Sequence, residues 1–177
     1  MKIYTGIGSR ETPPEILEKM TQYARELSSL GYLLRSGGAP GADSAFESGA
    51  THKQIFLPWD GFNGKKKDDI NYFVAPYRDD FVEKYHPKPS ALSQAGRKLM
   101  SRNANQVLGY NFKKPTEFIL CWTKDGKLVG GTSFALRMAA DYKIPIYNLG
   151  KINSYKEFET FLSGLIYNHK VENHLWE

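Results

Sequence analysis

The chain holds a single cysteine, Cys121, among its 177 residues, so no intramolecular disulfide framework is open to it. A long apolar run is also missing, and the opening Met-Lys-Ile-Tyr-Thr-Gly reads as neither a signal peptide nor a membrane span. The expectation is a cytoplasmic protein with no membrane partner. His52, His86, His169 and His174 are scattered, without metal-ligand spacing, so no metal and no cofactor is expected. No Ser-His-Asp order or nucleophile elbow is visible, which removes the common hydrolase signatures. Repeats, low-complexity tracts and linkers are absent too, and the length is that of one ordinary domain over residues 1–177.

What is present suits a packed chain. Hydrophobic residues make up 41% and aromatics 14% of the sequence, enough for a sizeable core. The formal net charge of +5 suits a phosphate-bearing partner without requiring one.

Apolar patterning alternates strand and helix. Residues 3–7 read as a buried strand, and Thr12-Pro-Pro-Glu15 as a helix start with Thr12 as its cap; the helix runs until Gly31 stops it. A strand over 32–35, a short helix over 42–50 and a strand over 54–59 follow. Residues 60–69 form a polar loop whose Lys65, Lys66 and Lys67 are expected in water. A short helix over 77–85 precedes a longer one capped by Ser90 and ending at Leu108, with Leu92, Ala95, Leu99 and Val107 inward. Strands over 118–122 and 145–149 and helices over 133–142 and 155–167 complete the chain. The pattern predicts an α/β, doubly wound, Rossmann-like domain of about five parallel strands with helices on both faces. Its core spans about residues 3–150, and 151–177 form a C-terminal helix and tail. Ligands are expected at the carboxyl ends of the strands.

Three strand-to-helix junctions share one chemistry. SGGAPGADSAFESGA occupies residues 36–50; Gly37, Gly38 and Gly41 let backbone approach a ligand, while the amides from Ala42 to Ser44 and the helix dipole favour an anion. A ligand-free turn also uses glycine, and Asp43 reads equally as a helix cap or as a partner for a sugar hydroxyl. Gly8-Ser9-Arg10 repeats the small-residue form and adds an arginine suited to bidentate phosphate contact. Gly130-Gly131-Thr132-Ser133 offers amides and two hydroxyls before another helix. Arg102 and Asn103 interrupt an apolar stripe; they are either solvated or meet something polar inside. Trp59, Phe62 and Tyr72 are open to two readings, base stacking or packing, and Cys121 reads as a core thiol.

These motifs, with Ser101-Arg102-Asn103 and Gln106-Val107-Leu108-Gly109, follow in order the Rossmann-like domain of the DNA-processing (DprA/Smf) proteins. The chain resembles that family, and the wider SLOG superfamily, over roughly residues 3–150. The resemblance implies a pocket lined by the residues of the three loops together with Arg102 and Asn103. It implies a nucleotide or single-stranded DNA as ligand, and a homodimer. Accompanying small domains, common in the DNA-processing proteins, are not expected within these 177 residues.

The lonely-guy branch of the superfamily hydrolyses the base–ribose bond of nucleoside monophosphates. Its loop carries glutamates after the threonine, whereas Val129-Gly-Gly-Thr-Ser-Phe-Ala135 has none. A nucleotide N-glycosidase would therefore draw its carboxylate from Asp43 or Glu47. The leading expectation is a nucleotide-phosphate binder without catalysis, holding single-stranded DNA or a free nucleotide, a signalling one included; the N-glycosidase and a protein-partner scaffold with an inert pocket are its alternatives.

Overall fold

Six apolar runs pair into one parallel sheet in the computed structural model, which describes residues 1–175. The strands are β1 (Lys2–Gly8), β2 (Tyr32–Ser36), β3 (Lys53–Leu57), β4 (Tyr72–Val74), β5 (Phe118–Trp122) and β6 (Ile146–Asn148). Their order is β4-β3-β2-β1-β5-β6, and every neighbouring pair is parallel. The doubly wound α/β domain is thus the one the alternation predicts, with β4 added. That strand is three residues long and half-buried, too short for periodicity to mark it.

The helices are α1 (Pro14–Ser29), α2 (Ala42–Gly49), α3 (Asp79–Tyr85), α4 (Gln94–Leu108), α5 (Thr132–Asp141) and α6 (Ile152–His174). Successive strand side chains point to opposite faces, and both faces are covered. Tyr4, Leu34, Phe118 and Leu120 meet Met20, Tyr23, Phe46 and Phe158 from α1, α2 and α6. Ile7, Ile119 and Cys121 meet Tyr85, Val107, Phe134 and Met138 from α3, α4 and α5. Helices α1 and α2 pack closely: a Cβ on Gly49 would overlap the Thr21 carbonyl oxygen and lie 2.9 Å from Ala24 Cβ. Among the described residues no helix is long and apolar enough to cross a membrane.

Several local expectations are corrected. Helix α1 starts after Pro13, and Thr12 Oγ1 donates to Ser9 O at 2.7 Å instead of capping it. The α4 cap is Ser93, whose hydroxyl accepts from Gly96 N at 3.1 Å; Ser90 sits in a separate helical turn ahead of it. Ala95, in the first turn of α4, is exposed. Lys65 leaves water to pair with Glu47 at 2.9 Å, while Lys66 and Lys67 stay exposed. Asn63 Nδ2 donates to Gly38 O at 3.0 Å, so the polar loop over 60–69 is tied to the glycine stretch.

Candidate functional site

From β1 the chain steps outward through β2, β3 and β4, then returns to place β5 on the other side of β1. The crevice at that reversal, beyond the carboxyl ends of two strands running apart, is where open α/β sheets hold ligands. A cleft of about 530 Å³ lies there. The loop after β1 gives it Gly8, Ser9, Arg10 and Glu11, and the chain leading into α5 gives Val129, Gly130, Gly131 and Thr132. Ala39 and Asp43 line it from the glycine stretch before α2, and Leu99, Met100, Arg102, Asn103 and Gln106 from α4.

The two readings left open for Arg102 and Asn103 are decided by the burial of α4. From Ser101 to Leu108 the helix is buried on every side, Arg102 and Asn103 being 6% exposed. A buried guanidinium needs acceptors. Arg102 Nη1 donates to the carbonyls of Gly37 and of Phe56 (3.3 Å for the second), and Nε donates to Asn103 Oδ1 at 3.0 Å. With its amide oxygen turned inward, Gln106 also accepts from Arg102 Nε at 3.1 Å and from Gly37 N at 3.3 Å. The Phe62 ring lies 5.4 Å from the guanidinium carbon. Arg102 Nη2 has no acceptor among the described residues, and it belongs to a side chain lining the cleft.

Asp43 is the counter-charge. Burial raises its carboxyl from the usual 3.8 to about 6; the Arg102 charge and the Ala39 and Gly37 amides pull it down, and Glu47 adds to the rise. Burial likewise lowers the Arg102 guanidinium to about 10, offset by Asp43, while Arg10 lowers it further. Arg10 is exposed and near enough to repel Arg102. Two guanidinium groups thus repel one another, and one buried carboxylate, Asp43, offsets the charge of Arg102.

The amides complete the arrangement. At the start of α5 the N–H groups of Gly130, Gly131 and Thr132 find no backbone acceptor among the described residues, and no side chain caps the helix. Asn103 Nδ2 holds this turn by donating to Gly131 O at 3.1 Å. Ser133 Oγ is turned inward, donating to Gly130 O at 2.7 Å. Unsatisfied amides at a helix start carry the positive end of the dipole and bind anions.

The remaining predicted residues, Gly37, Gly38, Gly41, Ala42 and Ser133, do not line the cleft; they pack behind the loops that do. Gly37 packs against the polar cluster: a Cβ there would overlap the Gln106 side-chain amide and lie 2.7 Å from Arg102 Nη1. Gly41 has φ of 84° and brings α2 within 2.8 Å, measured from an ideal Cβ, of Arg10 Cα. Ala42 N donates to Ser9 O at 3.5 Å, joining two of the loops. Gly38 faces Ile55, Leu57 and Lys65, away from the cleft.

Glu47 does not belong to this site. It is buried one turn further along α2, paired with Lys65 and accepting from the Tyr72 hydroxyl, so Tyr72 is also engaged in packing. Phe62 is buried beside Arg102, and Trp59 alone of the three aromatics is exposed, at 37%. Sequence reasoning missed Glu11, Met100, Thr123 and Lys124 as lining residues. Thr123 and Lys124 are the first two residues after β5, a position that the strand-end rule itself singles out. Among the described residues no group of three or more His, Cys, Asp or Glu is placed to hold a metal ion.

No family model and no curated protein matches the chain. Solved structures do. DNA processing protein A from Helicobacter pylori, a single-stranded DNA-binding protein, shares 17% identity at a TM-score of 0.58, covering 95% of this chain and 81% of that one. The molybdenum cofactor carrier protein from Chlamydomonas shares 17% identity at a TM-score of 0.53, covering 93% and 86%. A second structure of the carrier protein gives 0.51. These likenesses establish the fold: the chain has a Rossmann-like α/β fold similar to those of DNA processing protein A and the molybdenum cofactor carrier protein.

Proposed function

We propose that the cleft grips the phosphate of a nucleotide, either free or within single-stranded DNA. The observation carrying this reading is that one cleft is lined by both Arg10 and Arg102 and by Gly130, Gly131 and Thr132, whose amides are uncapped. A phosphate accepts from all of these and relieves the repulsion between the two arginines. The single-stranded DNA bound by the Helicobacter pylori neighbour supports the same ligand class.

Fluorescence anisotropy of a labelled oligothymidine, at low and at physiological salt, tests the reading. Binding that falls steeply with salt identifies a strand with several phosphates held. Weak salt dependence with displacement by a nucleoside monophosphate identifies the free nucleotide. In both cases Arg10→Ala weakens binding. Failure of folded protein to bind either ligand refutes the proposal.

One observation favours a second reading, cleavage of the base–ribose bond. Asp43 lines the cleft with its carboxyl raised to about 6 by burial, a range suited to proton transfer near neutral pH. Release of free base from nucleoside monophosphates, lost in Asp43→Asn, supports it. Binding without release across a panel of bases removes it.

A further inference from the structure

A second cavity, of about 410 Å³, opens at the same edge of the sheet. Pro58 and Trp59 line it just after β3 ends at Leu57, and Ala75 and Tyr77 just after β4 ends at Val74. Because all six strands are parallel, this is the edge that carries the main cleft. Helix α4 separates the two: Lys98 and Ser101 face the second cavity, while Leu99, Met100, Arg102 and Asn103 face the first. The distance to be crossed is one helix diameter, about 10 Å.

The chemistry of this cavity is distinctive. Trp59 is 37% and Tyr77 42% exposed, and both rings are held in place. Trp59 meets Phe62 edge to face at 5.4 Å, and the Tyr77 hydroxyl donates to Asp79. Lys67 and Lys98 line the cavity and take part in no ion pair among the described residues. Among the described residues the one acid lining the cavity, Asp60, accepts from Lys67 N through Oδ1 at 2.8 Å, and the two ammonium groups outnumber it. Ser101 Oγ accepts from Arg78 N at 2.8 Å. Fixed aromatic faces flanked by free ammonium groups suit the two halves of a nucleotide, a stacking base and a phosphate.

We infer that this cavity is a second nucleotide subsite, so that a single strand of nucleic acid lies over α4 with one phosphate in the main cleft and a neighbouring base on Trp59 and Tyr77. The inference rests on the phosphate-binding reading of the main cleft. It selects a strand over a free nucleotide, because a mononucleotide fills one cavity and leaves the other empty.

Affinities for thymidine 5′-monophosphate and for labelled oligothymidines of increasing length, measured on the full chain, test it. Affinity should rise steeply once the strand spans both cavities. Trp59→Ala should weaken the longer strand by roughly 5- to 100-fold, the range of one lost stacking contact, and leave the mononucleotide unchanged. Lys98→Glu, on the exposed surface of α4, should weaken the strand in the same selective way and guards against a folding defect at Trp59. Equal affinity for strand and mononucleotide, with neither variant altering the strand, overturns the inference and leaves the main cleft's role standing. Absence of binding by both ligands overturns the two together.

Discussion

Arg102→Met removes a charge while keeping most of the side-chain volume, and its cost follows from what Arg102 touches. Two buried carbonyls, of Gly37 and Phe56, lose their donor, and the Asp43 carboxylate loses its counter-charge. Leaving two buried acceptors bare and a nearby buried carboxylate uncompensated costs about 3–5 kcal/mol. The charge part depends on pH. Near pH 8 Asp43 is ionised and stranded, whereas near pH 5, below its value of about 6, it carries a proton in the native state. What remains at the acid end is the bare carbonyls, about 1–3 kcal/mol. Urea unfolding at both pH values measures this, with an unchanged m-value confirming comparable unfolding. Asp43→Asn in the same chain should recover part of the loss at the higher pH, since residues in contact couple by about 0.5–3 kcal/mol. A penalty under about 0.5 kcal/mol, or one that does not change with pH, refutes the role given to this cluster.

Asp43→Asn alone should flatten a pH dependence. The native carboxyl is raised from 3.8 to about 6, so the folded state holds an extra proton between those values and wild-type stability falls as pH rises through the interval. Relative to the variant the fall is about 3 kcal/mol, read from unfolding curves across the range. Gly49→Ala should cost about 1–3 kcal/mol through overpacking, because the new methyl overlaps the Thr21 carbonyl; thermal unfolding measures it. Burial pushes the Cys121 thiol up to about 12, with Lys151 opposing slightly, so a thiol reagent should label the native chain only through unfolding, at a rate that rises with denaturant.

Much of this was legible because glycine and apolar periodicity are local signals. The strand-to-helix junctions at Gly8, Gly37 to Gly41 and Gly130 to Gly131 were visible as composition, and a parallel sheet necessarily brings such ends to one edge. The role of Arg102 was not legible. Whether a polar residue on a helix is solvated or buried depends on what packs on every side of α4, and Gly37 O, Phe56 O and Asp43 come from distant parts of the chain. Glu47 failed as a site candidate for the same reason: one turn along α2 was enough to send it to Lys65 and Tyr72. The local caps at Thr12 and Ser90 were misplaced because neighbouring residues, Pro13 and Ser93, compete for the same position.

The most direct measurement is a two-dimensional amide spectrum of nitrogen-15-labelled protein titrated with thymidine 5′-monophosphate. Phosphate held by the start of α5 predicts the largest shifts at the amides of Gly130, Gly131 and Thr132, with Arg10 moving alongside. A folded protein in which these four amides stay still at saturating nucleotide contradicts the account.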